Sequence, residues 1–600
     1  MFQTFEASST PEQGLARLAA LRAALPAFGV DGVLVPRADA HQGEYVAPRD
    51  ARLEWLTGFT GSAGFCAVLP DVAGVFIDGR YRLQVQDQVA DVFTPVHWPE
   101  IQLANWLKDN LSGSAVIGFD PWLHTMTEIA ALRDALDGTD ITPRPIANPV
   151  DQIWADQPAP PMAPFTAHPD NFAGESHAAK RARVAQTLKA DACILTLPDS
   201  IAWLLNIRGT DIERNPVPHA FAVLRSDGTV DLFARSGKAD GIKDHLGSDV
   251  ILHVWDDFGK VIAALDGAVQ IDPKSCPYAV KQLLGDAPLV EQPDPCALPK
   301  ARKNAVEIQG SRDAHLRDGA AMVRFLAWLD RESPAGGLTE IDVVKALEGF
   351  RRDTNALRDI SFETISGAGP NGAIVHYRVS DKTNRAVKPS ELLLVDSGGQ
   401  YQDGTTDITR TMIVGTPAQD HIDCYTRVLR GMVAVSMARF PKGVAGSHLD
   451  ALARTPLWQA GLDYDHGTGH GVGSYLSVHE GPQGISRRST IPLEPGMIVS
   501  NEPGYYREGA FGIRIENLIV VQDAPQIAGG DDRAMLSFET LTYAPFDRRL
   551  IDTGALTPDE RRWIDRYHAD TLRLLADRID GPALDWLKAA CAPLAADRPA

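Results

Sequence analysis

The chain has 600 residues, more than one hydrophobic core can serve, since cores stop growing at roughly 250–300 residues, so about three or four domains are expected. With 44% hydrophobic and 23% charged residues, it can bury several cores, which excludes disorder as the default. A formal charge of −20 repels phosphate backbones and excludes an electrostatic footprint for nucleic acid or anionic lipid.

Six cysteines (Cys66, Cys193, Cys276, Cys296, Cys424 and Cys591) are scattered without a CxxC pair. That argues against a zinc knuckle or a disulfide scaffold and fits a reducing, cytoplasmic location. Residues 1–25 show no basic stretch followed by an apolar one, and no run approaches 18 apolar residues. Neither export nor membrane insertion is therefore expected.

In chain order, a helical pattern over residues 15–25 precedes the apolar run Gly32-Val-Leu-Val35. Trp55-Leu56 with Gly61, Ala67-Val-Leu69 and Val75-Phe-Ile77 follow. A second segment repeats the plan: a helical pattern over 177–188, then Ala192-Cys-Ile-Leu195, Trp203-Leu204 with Gly209, Ala222-Val-Leu224 and Val230-Asp-Leu-Phe233. In each, a strand precedes a Trp-Leu turn and two further strands, joined in the second by a turn at Asp227-Gly228. Each reads as one α/β domain, related by duplication or alike by chance. The proline-rich passages Gln157-Pro-Ala-Pro-Pro-Met-Ala-Pro164 and Gln292-Pro-Asp-Pro-Cys-Ala-Leu-Pro299 read as boundaries, though both could be loops inside a domain. The division expected is 1–157, 158–300, 301–545 and a helical extension 546–600.

Over residues 303–332, Val306, Ala314, Ala321, Phe325 and Leu329 fall roughly on one helical face. Thr339-x-x-Asp342 caps a second helix carrying Val343, Val344 and Leu347. Strands and glycine-rich turns are expected from Phe362 to about Tyr543. After Thr557 the pattern is helical again.

The residues that carry chemistry lie between His376 and Glu516. Glu391-Leu-Leu-Leu-Val-Asp396 is an apolar strand ending in a carboxylate, and Thr405-Thr-Asp407-Ile-Thr-Arg-Thr is a β-branched strand that could return beside it. His466-Gly-Thr-Gly-His470-Gly-Val-Gly473 places two histidines in a glycine-rich loop, with His479-Glu480-Gly-Pro482 after it. A further strand ends in Ser500-Asn-Glu502, and Gly512-Ile-Arg514-Ile-Glu516 sets an arginine and a glutamate on one face. Singly, each has a bland explanation as a turn former, cap or solvent-facing charge. Together, four carboxylates in apolar surroundings need compensation, which two divalent cations would supply. Oxygen-dominated ligation with one imidazole suits Mn2+, Co2+ or Fe2+, and Zn2+ less typically.

These motifs, with Val478-His-Glu-Gly-Pro482, Asn501-Glu-Pro-Gly-Tyr-Tyr506 and Leu53-Glu-Trp-Leu-Thr-Gly-Phe-Thr-Gly-Ser-Ala-Gly64, closely resemble the Xaa-Pro aminopeptidases (aminopeptidase P) in their three-domain form. The resemblance implies two creatinase-like α/β domains followed by a pita-bread catalytic domain. It implies Asp396, Asp407, His470, Glu502 and Glu516 as ligands of two divalent metals, most typically Mn2+. Asp396 would hold one ion, His470 and Glu502 the other, with Asp407 and Glu516 bridging. A metal-bridging hydroxide would attack the carbonyl before proline, with Glu502 relaying its proton. His376, His466 and His479 would contact the substrate or shuttle protons, and Arg514 would orient Asp396. The substrates implied are peptides with an Xaa-Pro amino end, and a homodimer through the catalytic domain is implied as well. The alternatives are an Xaa-Pro dipeptidase (prolidase) and a metal-free pita-bread binding module, which would not need to keep the five ligands.

Overall fold

Short apolar runs between polar turns form the sheets. In the unit Ser8–Ala297 of the computed structural model, which describes residues 1–594, two six-stranded sheets share one plan. The first runs in the order Thr94–His97, Ala73–Ile77, Phe65–Val68, Gly32–Pro36, Ala115–Phe119, Ile141–Pro145. The second runs Val250–Val254, Val230–Ala234, Phe221–Arg225, Ala192–Leu195, Val269–Ile271, Leu289–Glu291. In both, the strand that comes first in the chain lies centrally. It is antiparallel to the second strand and parallel to the fifth.

The Trp-Leu pairs are helical, which corrects their reading as turns. Trp55 and Leu56 lie in the helix Arg52–Thr57, and Trp203 and Leu204 in Pro198–Leu205. Leu56, Leu204 and Leu205 are wholly buried, and burying such a side chain contributes about 1.5–3 kcal/mol. Each helix stops at a left-handed residue, Gly58 (φ 87°) or Asn206 (φ 49°).

Within this unit, segment 121–127 binds the backbone of segment 273–279. Tyr278 N donates to the His124 carbonyl (2.8 Å), Met126 N to Cys276 O (3.2 Å) and Thr127 N to Pro273 O (2.9 Å). The His124 ring is buried and its Nε2 has no partner. Burial pulls its pKa down to about 4. Because the folded pKa lies below the unfolded value, this histidine's stabilising contribution is complete above pH 6.5 and is lost as pH falls towards 4. His124→Gln removes that acid lability, worth about 3 kcal/mol at pH 4.5. The drop in Tm between pH 7 and 4.5 is therefore smaller in the variant than in the parent. Equal drops in thermal melts would reject this account.

The unit Met1–Ala7 with Leu298–Ala600 is built from helices laid on sheets. Asn304 caps Ala305–Glu332 reciprocally with Glu307, and Thr339 caps Glu340–Arg352 with Asp342. Met322, Phe325, Leu329, Val343 and Leu347 of these helices pack on Leu393, Val395, Ile408 and Met412. Those four belong to the antiparallel sheet Ile365–Ala368, Leu392–Ser397, Ile408–Ile413. A second sheet runs Phe440–Pro441, Met535–Thr540, Asn517–Asp523, Ile498–Asn501, Gly469–Gly471, Glu480–Ile485.

Two helices, Gln419–Ser436 and Gly446–Trp458, lie where strands and turns were expected. Cys424, Val428, Leu429, Met432 and Val435 recur at helical spacing and are buried. A Cβ at Gly431 would stand 2.1 Å from the Ala453 carbonyl oxygen, so glycine there lets the two helices touch. The helical tail comprises Pro558–Leu575, capped by Thr557 and Glu560, and Gly581–Ala590. All six cysteines are buried and free. No helix among the described residues is long and apolar enough to cross a membrane.

Candidate metal centre

Sheet pairing assembles the acidic residues. Asp396 stands one residue before the end of its strand, opposite Thr409. Asp407 falls between the strands Gly404–Thr405 and Ile408–Ile413, so it is freed from the regular pleat. The expected continuous strand through Arg514 and Glu516 is likewise broken: Phe511–Arg514 ends before Glu516 and Asn517–Asp523 begins after it. His470 occupies the short strand Gly469–Gly471, and Glu502 follows Ile498–Asn501. A Cβ at Gly469 would lie 1.9 Å from the Ser500 carbonyl oxygen, so only glycine brings the histidine loop this close to the glutamate strand.

Ligand atoms of Asp407, His470 and Glu516 lie within 4.8 Å of one another. His470 Nε2 is 3.5 Å from Asp407 Oδ2 and 3.4 Å from Glu502 Oε1. Its Nδ1 lies 2.9 Å from the Gly471 carbonyl, an acceptor only, so Nδ1 carries the proton. Nε2, which faces the two carboxylates, offers its lone pair once a cation replaces its proton. Ser500 Oγ accepts from His470 N (2.9 Å) and donates to Glu502 Oε1 (3.0 Å). Thr409 Oγ1 donates to Glu516 Oε2 (2.8 Å) and accepts from Arg514 Nε (3.2 Å). Arg514 also donates to Asp396 Oδ2 (2.6 Å).

One oxygen each of Asp396, Asp407 and Glu516 is buried without a hydrogen-bond partner. Burial pushes the Asp396, Glu502 and Glu516 carboxyls up, the charge of Asp407 adds to each, and Arg514 works against the rise at Asp396 and Glu502. Burial pulls His470 down, but Asp407 and Glu502 win and raise it to about 9. The cluster is thus short of positive charge. Its hard oxygen donors with one imidazole fit divalent cations and leave no thiolate for a softer ion.

The three further histidines differ in placement. The His479 ring packs edge-on against His470, with centroids 4.3 Å apart. His466 Nδ1 donates to Gly467 O (2.7 Å), and its Nε2 faces Tyr506 Oη (2.8 Å). Tyr506 Oη in turn accepts from Arg514 (2.6 Å), so its own proton points to His466. Burial, against the pull of Arg514, raises that phenol to about 12 and keeps it protonated. His376 sits half-buried on a separate segment, between buried Val375 and Tyr377. Sequence reasoning assigned no role to Thr409, Ser500 or Tyr506. Their hydroxyls acquire meaning only when pairing brings them against Glu516, Glu502 and Arg514.

A cluster of carboxylates and one imidazole, buried between paired strands, has the donor set of a metallohydrolase. In agreement, residues 309–523 match the model of metallopeptidase family M24 and 534–594 that of the C-terminal region of peptidase M24. Residues 17–153 and 156–307 match two creatinase/prolidase N-terminal domain models. Aminopeptidase P1 of Lotus japonicus is 38% identical, covering 96% of this chain and 99% of its own. Aminopeptidase P1 of Arabidopsis thaliana is 39% identical over 94% and 97%. The crystal structure of X-prolyl aminopeptidase from Caenorhabditis elegans, described as a cytosolic enzyme with a di-nuclear active site, superposes with a TM-score of 0.93 at 33% identity, covering 97% and 99%. The chain belongs to the aminopeptidase P (Xaa-Pro aminopeptidase) family, with creatinase-type N-terminal domains and a pita-bread catalytic domain.

Proposed function

We propose that this chain is a metal-dependent aminopeptidase that removes the amino-terminal residue from peptides with proline second. The observation that carries the reading is the buried set of carboxylates around His470, three of which leave an oxygen unpartnered. Asp396, Asp407, His470, Glu502 and Glu516 would hold two divalent ions, with manganese favoured by the oxygen-rich set. When bound, the ions supply Lewis acidity and lower the pKa of water towards 7.

The chain's own groups then divide the remaining work. Arg514 fixes Asp396 and, through Thr409, Glu516. Tyr506 links Arg514 to His466, holding that ring in one tautomer. Glu502, oriented by the Ser500 hydroxyl beside His470, is the carboxylate proposed to accept and return a proton. The scissile Xaa-Pro amide has no N–H, and its secondary amine must be protonated to leave. His466, His479 and His376 are the groups proposed to contact the substrate and deliver that proton. The division 1–157, 158–300, 301–545 and 546–600, a homodimeric assembly and a cytoplasmic location complete the proposal.

The test is hydrolysis of Xaa-Pro-Yaa tripeptides and Xaa-Pro dipeptides by manganese-loaded protein, with metal counted in parallel. Release of free Xaa from the tripeptides with about two ions per chain is expected. Cleavage of dipeptides alone would make it a dipeptidase instead, and protein that binds no metal would overturn the reading.

A further inference from the structure

Residues Met1–Ala7 belong to the unit that carries the metal centre. Gln3 is buried, and its side-chain amide is used at both ends: Nε2 donates to Thr364 O (3.2 Å), and Oε1 accepts from Thr364 N (2.8 Å). This mimics a strand partner one residue before Ile365, which itself pairs with Asp396. Glu348 accepts from Phe2 N (2.8 Å) and Gln3 N (3.4 Å). Further along, Phe5 O accepts from Asp381 N (2.8 Å), and Arg378 donates to Glu6 O (3.1 Å). Both partners lie in the segment that carries His376, two and five residues beyond it.

The Phe5 ring does the apolar part. It packs against the cluster of Ile341, Val344, Ile365, Tyr377, Val379 and Leu394, which Ile374 and Tyr506 also touch. Tyr377 and Val379 are buried while His376 and Arg378, in alternation, are half-buried. The inward side chains therefore anchor the segment and set the direction of His376.

We propose that Phe2–Glu6 is a positioning element of the peptidase site: it clamps the 374–381 segment and so holds His376 where the substrate binds. This rests on the function proposed above. The clamp has no polar atom in the metal centre, so its loss spares metal binding. A displacement of about 1 Å in a contact group costs on the order of 100-fold in rate. Phe5→Ala is expected to lower kcat about 10- to 100-fold with KM changed much less.

The test is a double-mutant cycle in the full chain with Phe5→Ala and His376→Ala, read as kcat, KM, bound metal and hydrogen exchange of residues 374–381. If Phe5 acts through His376, its substitution lowers kcat in the parent but by less than about twofold in the His376→Ala background. Metal content stays unchanged, exchange over 374–381 rises, and Phe5→Leu restores most of the loss. An equal loss in both backgrounds, or a loss that tracks missing metal, would overturn the proposal. Phe5→Val gives a smaller form of the same readout should Phe5→Ala fail to fold, and a parental rate in that variant would also overturn it. A parent chain inactive on Xaa-Pro peptides would instead reject the underlying function.

Discussion

Asp407→Asn abolishes turnover and prevents the centre from filling with two ions, while the fold survives. Asparagine keeps the shape of aspartate but removes a negative charge 3.5 Å from His470 Nε2 and leaves a poor ligand where Oδ1 now has no other partner. Asp407 is only 3% exposed, so solvent compensates poorly for the lost carboxylate. Asp407 is one of the five residues that would hold the ions, and the expected fall in kcat/KM is at least about 10⁴-fold, near 5.5 kcal/mol of barrier. The same substitution relieves the repulsion that Asp407 exerts on Asp396, Glu502 and Glu516, whose carboxyls are each pushed up by that charge, and gives up its attraction for His470. Because these two effects oppose each other, the metal-free variant melts close to the metal-free parent. Elemental analysis, kinetics and calorimetry on one preparation check all three points. Near-parental peptidase activity would defeat the ligand assignment.

Metal removal gives the second large effect. Chelation leaves several buried carboxyls facing one another around His470, and they must take up protons or repel. Activity is expected to vanish and to return on adding Mn2+. Ions present at about 1,000 times their Kd stabilise the folded state by about 4 kcal/mol. For a domain of this size that is roughly 10 °C in Tm. A calorimetric scan with and without chelator should show the transition of the catalytic unit moving by that order. An unmoved transition would mean that the cluster is not a loaded metal site.

The chemistry of the site was more legible in the sequence than its scaffold. A carboxylate ending a run such as Leu392-Leu-Leu-Val395 stands out because burial of charge needs a reason; the structure groups Asp407, His470 and Glu516, with Glu502 against His470 and Asp396 against Arg514. Helix caps at Thr339 and Thr557 were equally legible, being local. The helices Gln419–Ser436 and Gly446–Trp458 were not, since they contain Gly431, Pro456 and several valines that weaken intrinsic helix preference. Packing decides there: Gly431 is useful only because Ala453 lies against it. The break before Glu516 was hidden for the same reason. Ile513 and Ile515 on one face, with Arg514, Glu516 and Leu518 on the other, suit an unbroken strand, and the interruption comes from hydrogen bonding of Glu516 N to Thr409 O (3.1 Å), a residue 107 positions away.

The seclusion of the cysteines has a practical side. Cys66, Cys193, Cys276, Cys424 and Cys591 are buried, and burial raises each thiol's pKa, so little thiolate exists at neutral pH to meet an alkylating dye. Cys296 is buried too. A fluorophore directed to one cysteine engineered on the surface would therefore label a single place, without first stripping the native sulfhydryls. The natural sequence comes ready for distance measurements by fluorescence.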